Sequence, residues 1–328
     1  MAEPRRRKSL RRTLLFVLVF ECCILLLLGA WALRLLATNE NDPVETLPSE
    51  TSGSTHPDPT VQPTVAQTVP TQQPTDPEEM VGTLYTRKQL EAMSTKSLDY
   101  GPGVTSDGKR PPYPDDLQKQ YGRYGANFIA PETNTVYLTF DCGYEYSFVN
   151  ENGKTVRVTE WILDTLEEQN VKAVFFVTLP YCKNNPDLVE RMIAQGHAVG
   201  NHSSTHPSSM AKLSIDQMVD EVMTLHQYVK EHFGYEMHLF RPPTGAYSEQ
   251  SLAVVQSIGY KTVHWSFAYA DWDPEAQPSV TEGYNIITGR HHQGAIYLLH
   301  AVSATNATVL SDVIDFLQEK DYQLALFE

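Results

Sequence analysis

Two periodicities alternate along the second half of the chain. Short apolar runs at 136–140, 173–178, 198–201, 239–241, 262–265, 295–299 and 323–326 read as strands. Between most of them, apolar positions recur at helical spacing, which predicts helices over 158–168, 186–194, 215–232, 249–257 and 307–320. Ser214 with Gln217 makes a capping box, and Ser248 is a fair N-cap. Strands that alternate with helices imply right-handed crossovers and a parallel sheet. The expected fold is therefore α/β, a small or incomplete (β/α)7-type barrel, with an open doubly wound sheet as the alternative. Both gather chemistry at the C-terminal ends of their strands.

The first eighty residues follow neither period. Residues 1–12 carry six basic side chains. An uncharged run broken only by Glu21 follows, 21 residues long from Thr13 to Leu33. At about 1.5 Å per residue such a run spans roughly 30 Å, one bilayer core. Residues 13–37 are expected to be a transmembrane anchor. The basic cluster stays in the cytoplasm and the C-terminus goes out. A cleaved signal peptide ending near Ala37 is the competing reading, and it also places the body outside. Residues 38–79 are rich in Thr, Pro, Gln and Ser and predict a disordered tether. Residues 80–130 read as a wrapping segment with one short helix near 86–93, and 131–328 as the main domain.

Charge sharpens this division. The 328 residues carry a net charge of -15. Beyond Arg34 there are 18 basic against 38 acidic residues, a net of -20, so bulk charge excludes a nucleic-acid binder. Of four cysteines only Cys142 and Cys182 lie in the body, which excludes a disulfide scaffold.

Polar residues follow the predicted strands. Asp141 and Cys142 follow the first, and His202 and His206 the third. Arg241 closes the fourth, Asp271–Trp272 comes after the fifth, and His300 ends the sixth. Each alone has an ordinary reading: a loop cap, a surface histidine, a satisfied core histidine. On one rim together they support metal-assisted hydrolysis. Two neutral imidazoles can hold a divalent ion, a free carboxylate can take the proton of attacking water, and an imidazolium can protonate a leaving nitrogen. Asp141 suits the base and His300 the acid. Arg241 would keep Asp141 ionised, and Asp271 would keep His300 charged.

The ordered set TFDCG (139–143), HSSTH (202–206), RPPTG (241–245), Asp271–Trp272 and LLH (298–300) resembles the polysaccharide deacetylases, the NodB-homology group of carbohydrate esterase family 4. The stretches YLTFDCGYE, GNHSSTHP, LFRPPTGAYSE and GAIYLLHAVS look most like its delta-lactam-biosynthetic de-N-acetylases, and KRPPYPDDLQKQYGRYGANF extends the likeness upstream. The resemblance implies a distorted (β/α)7 barrel and removal of acetyl groups from peptidoglycan amino sugars, muramic acid first. N-acetylglucosamine, another polymer and a wall-binding module without turnover are the alternatives. It implies Asp141 as base, His300 as acid, Arg241 and Asp271 as orienters, and His202 and His206 as metal ligands. Tyr144, Pro243, Thr244, Gly245, Tyr247 and Trp272, with Tyr269, would meet the sugar. The expected partners are glycan strands and, through the anchor, the membrane, for a monomeric protein.

Two departures stand out. Cys142 occupies the place of the family's second acid. As a thiolate it would complete a Cys-His-His site that favours zinc over harder ions. It could instead turn away, or pair with Cys182. Thr244 sits where muramic-directed relatives often carry a basic residue. An added stretch at 147–156, with an Asn–Gly turn, predicts a small hairpin at the rim.

Overall fold

The structure, a computed structural model, describes residues 79–328 apart from 107 and 150–152. The expected basic segment, anchor and linker lie outside these residues. Among the described residues no helix is long and apolar enough to cross a membrane.

Strands β1 (Met80–Val81) and β2 (Tyr85–Thr86) form an antiparallel pair, and β3 (Ala126–Asn127) follows. Then come β4 (Thr135–Cys142), the hairpin β5 (Ser147–Val149) with β6 (Thr155–Arg157), β7 (Val174–Val177) and β8 (Ala198–Asn201). The last are β9 (Leu239–Phe240), β10 (Lys261–Val263), β11 (Ala295–His300) and β12 (Gln323–Leu324). The main sheet runs β11-β4-β7-β8-β9-β10-β3, with β12 beside the start of β4, and every pairing in it is parallel. A bridge between Phe267 and Tyr297 carries the chain after β10 onto β11, so the sheet curls into a distorted barrel. All seven expected strands are present. The short β3, which adds to the edge beyond β10, was not expected, although it opens the apolar stretch 126–130.

Helices Val158–Glu168, Pro186–Ala194, Ile215–Phe233 and Glu249–Ser257 match their expected spans to within a residue. The last helix starts three residues early, at Ala304, because Ser303 caps it through the N–H of Asn306. Three helices were not expected: Pro112–Tyr121, Leu179–Asn184 and Val280–Gly289. The third does carry a sequence signal, a capping box of Ser279 with Glu282.

Successive side chains of a strand point to opposite faces. Along β4, Val136, Leu138, Phe140 and Cys142 join the large core between sheet and helices. Tyr137 joins the smaller cluster inside the barrel with Phe176, Val263 and Ile296. Asp141 therefore points toward the barrel mouth and Cys142 into the outer core. The same alternation along β11 sends Ile296 inward and Tyr297 outward, which leaves His300 on the mouth side. Gly200 in β8 is where this packing is tightest. A Cβ there would lie 2.5 Å from the ring of Phe176, and nothing but hydrogen fits.

The N-terminal described segment packs against the helix Glu249–Ser257 and the chain before it, and its Tyr100, Gly101 and Pro102 reach the cleft at the barrel mouth. Thr83 N–H donates to the Ser257 carbonyl, and Leu98 exchanges two backbone hydrogen bonds with Tyr247.

Candidate active site

Parallel strands put the chain segments after β4, β8, β9 and β11 at one end of the barrel. There they surround a cleft of about 1000 Å³ whose lining includes Asp141, His202, His206, Thr244, Trp272 and His300. Asp141 and His300 are register partners on adjacent strands, so both project into the same space.

Behind Asp141 lies Arg241, fully buried. Its Nη1 donates to Asp141 Oδ1 at 2.7 Å, its Nη2 to Thr139 Oγ1 at 2.8 Å and its Nε to the Val263 carbonyl at 3.1 Å. The guanidinium lies over the Phe176 ring at 4.1 Å, the ring that Gly200 makes room for. Burial pushes the Asp141 carboxyl upward. The Arg241 charge, helped by His202 and His300, outweighs it, and the net shift is below the ordinary carboxylate value.

His202 is buried. Its Nδ1 donates to the Arg241 carbonyl at 2.9 Å, which leaves the Nε2 lone pair free, 3.5 Å from Asp141 Oδ2. Burial pushes this imidazole down to about 4 against the pull of Asp141, so at neutral pH the close contact is no ion pair. His206 presents its ring to His202 with 4.9 Å between centroids. The loop that carries it is strained and clamped. Ser203 and His206 both have positive φ, at 69° and 56°. Glu221, on the helix Ile215–Phe233, accepts the N–H groups of Ser204 and Thr205 at 3.0 and 2.9 Å and the Thr205 hydroxyl at 2.6 Å. Asn201 accepts the Ser203 N–H at 2.9 Å.

His300 donates from Nδ1 to Asp271 Oδ1 at 2.7 Å. Burial alone would lower this imidazole. The hydrogen bond and charge of Asp271, with the charge of Asp141, reverse that and raise it. A neutral imidazole and a proton-holding one thus flank one ionised carboxylate, the division of labour that hydrolysis needs.

Cys142 is not part of this set. It is fully buried in the outer core, and burial with the charges of Glu145 and Asp141 pushes its thiol well above the ordinary value. The expected thiolate ligand is corrected by strand alternation: the residue after an inward Asp141 must face outward. Cys142 and Cys182 are both free thiols, which removes the disulfide reading. Among the described residues no three His, Cys, Asp or Glu side chains converge to hold an ion. The donors that do fit a divalent metal are the free Nε2 of His202 and the ring of His206, beside Asp141.

The rim residues divide. Tyr144 and Trp272 are exposed and line the cleft, with Tyr144 Oη donating to the Trp272 carbonyl at 3.4 Å. Thr244 lines it too, at φ 60°, a strained value for a β-branched residue, and its Oγ1 donates to the Ser208 carbonyl at 3.1 Å. Tyr247, Pro243 and Gly245 are buried and do not line the cleft, so they cannot meet a sugar directly. Gly245 has φ 77°, and a Cβ there would sit 2.6 Å from the Trp265 ring. The expected rim hairpin is β5–β6, and Tyr146 next to it reaches Glu275 at 3.3 Å. Sequence reading missed Glu221, which reaches the site from a helix without a motif, and the supporting roles of Thr139 and Asn201, which lie inside the motif stretches.

A family model described as polysaccharide deacetylase matches residues 129–263. The Bacillus subtilis peptidoglycan-N-acetylmuramic acid deacetylase PdaA is 36% identical over 236 residues, 71% of this chain and 86% of that protein. Its solved structure, described as a family 4 carbohydrate esterase, superposes with a TM-score of 0.64 at 34% identity, covering 71% of this chain and 96% of that one. The Listeria monocytogenes peptidoglycan-N-acetylglucosamine deacetylase PgdA is 32% identical over 199 residues, 61% of this chain and 39% of that protein.

Proposed function

The chain belongs to the polysaccharide deacetylases of carbohydrate esterase family 4, hydrolases of amide-linked acetyl groups, and from that membership we propose that it de-N-acetylates the amino sugars of peptidoglycan. The observation that carries the mechanism is the register pairing of Asp141 with His300, each backed by its own buried partner of opposite charge.

In the proposed reaction Asp141 takes a proton from the attacking water, whose oxygen bonds to the acetyl carbon. Arg241 keeps the carboxylate ionised and aimed. His300 delivers a proton from Nε2 to the sugar nitrogen as the C–N bond breaks, leaving acetate and a free amine. His202 and His206 would hold a divalent ion, with zinc the best match to two imidazoles. Such an ion supplies Lewis-acid polarisation of the carbonyl and acidifies nearby water. Trp272 and Tyr144 offer exposed rings for the sugar face.

Muramic acid is the preferred sugar, on the extent of the likeness to PdaA, and the product amine would be a step toward a muramic δ-lactam. One observation favours N-acetylglucosamine instead: neither Lys nor Arg is among the described residues that line the cleft, so neither is there to meet a lactyl carboxylate. We propose further that residues 13–37 anchor the enzyme outside the cytoplasm, with 38–79 as its tether. The deciding experiment is mass spectrometry of purified peptidoglycan fragments after treatment, with bound metal measured on the same sample. Loss of one acetyl from muramic acid supports the first reading and loss from glucosamine the second. No loss from either sugar by folded, metal-loaded protein overturns both.

A further inference from the structure

We propose that Asn306, held in place by Tyr269, is a positioning residue for the acid His300, acting through Asp271. The inference rests on the deacetylase reading for its kinetic consequence but not for its geometry.

The Asp271 carboxylate is buried and makes three contacts. Oδ1 accepts from His300 Nδ1 at 2.7 Å. Oδ2 accepts the His300 backbone N–H at 2.8 Å and Asn306 Nδ2 at 2.6 Å. With Oδ2 doubly engaged, Oδ1 is the oxygen left for the imidazole, and the plane of the carboxylate is fixed relative to the ring.

Asn306 is itself over-determined. Its side chain is buried. Its backbone N–H donates to Ser303 Oγ at 3.0 Å, which ties it to the first turn of the helix Ala304–Glu319. Tyr269 Oη contacts Asn306 Oδ1. Burial and the charge of Asp271 hold the Tyr269 phenol protonated, so it donates there. That donor leaves the amide one orientation. Turning it over would set the amide NH2 against the phenol and the amide oxygen against the Asp271 carboxylate, two losses at a buried amide.

The consequence is a proton held at a stated atom. His300 Nδ1–H is committed to Asp271, so Nε2 is the nitrogen that faces the cleft and exchanges protons with the substrate. Without Asn306 the Oδ2 of Asp271 keeps only the His300 backbone N–H, the carboxylate is held by His300 alone, and the aim of the ring is less tightly fixed. The S-x-x-N spacing of Ser303 and Asn306 is visible in the sequence, but nothing there ties Asn306 to Asp271.

Two variants test the proposal in the full-length chain. Asn306→Leu keeps the branched heavy-atom shape and removes the donor and the acceptor. Tyr269→Phe removes one hydroxyl and serves if the first does not fold. General acids contribute roughly 100- to 10,000-fold to rate, so Asn306→Leu is expected to lower kcat by about tenfold or more with KM little changed. Tyr269→Phe should act in the same direction, less strongly. Isotope-labelled histidine gives an independent readout: the His300 Nδ1–H resonance, assigned with His300→Gln, should exchange with solvent faster in both variants. A wild-type kcat in folded Asn306→Leu, a loss confined to KM, or an unaltered His300 signal overturns the proposal. If the wild-type enzyme deacetylates no glycan, the proposed function fails, while the histidine signal still decides this one.

Discussion

Asp271 and Cys142 are each one residue whose replacement gives a clear answer. Asp271 raises the His300 imidazole by its hydrogen bond and charge. An acid is competent only while protonated, so activity is lost as pH rises through its pKa. Asp271→Asn removes the raising influence, and the alkaline limb of the kcat/KM profile is expected to move to lower pH. A limb that stays in place would show that a different group sets it. Cys142 faces the outer core, so Cys142→Ala should leave the bound-metal stoichiometry and affinity unchanged. It should cost stability instead, about 1–2 kcal/mol for a small buried side chain, read by denaturant unfolding. Loss of metal in a folded Cys142→Ala protein would restore the thiolate ligand.

At the scale of elements, the helix Ile215–Phe233 does more than cover the sheet. Its Glu221 satisfies three donors of the strained loop that carries His206. Glu221→Ala takes the acceptor from the Thr205 N–H and hydroxyl, while the Ser204 N–H keeps the residue 221 carbonyl and the helix keeps its cap at Ser214. Partners that orient metal ligands typically change affinity by about 10- to 100-fold. Zinc affinity, measured by chelator competition, is therefore expected to fall by about that factor with helix content unchanged. Unaltered affinity would mean that Asn201 and Ser203 hold the loop by themselves.

For the whole molecule, several buried histidines are kept neutral. Burial lowers His197 and His292 to about 4, and it lowers His264 well below its ordinary value. His264 has both ring nitrogens without a partner and stacks on Phe128 at 4.3 Å. The unfolded chain binds protons at these sites from pH 6.5 downward and the folded chain does not. Stability is thus full above pH 6.5 and falls as pH drops below it, by on the order of 2 kcal/mol at pH 5 for a histidine shifted to about 4. Thermal unfolding between pH 7 and 5 should show this decline, and His264→Phe should flatten it. A Tm that holds steady to pH 5 would place the protons elsewhere. Much of this molecule follows from the chain alone. The seven strands, four of the helix spans and the order of the five motifs are local patterns of apolar period and capping, and they brought Asp141, His202, His206, Arg241, Asp271 and His300 to one rim. Other features are contacts between segments far apart in sequence, with no local signature. Cys142 faces away because strand alternation and register are settled by what packs on each side of β4. Tyr247 and Gly245 are buried because Leu98 and Trp265 cover them. Glu221 and Asn306 reach the site because their helices pack against the loops they hold. Local propensity determined which residues stand at the strand ends; tertiary packing alone decided which way each side chain points and what holds it there.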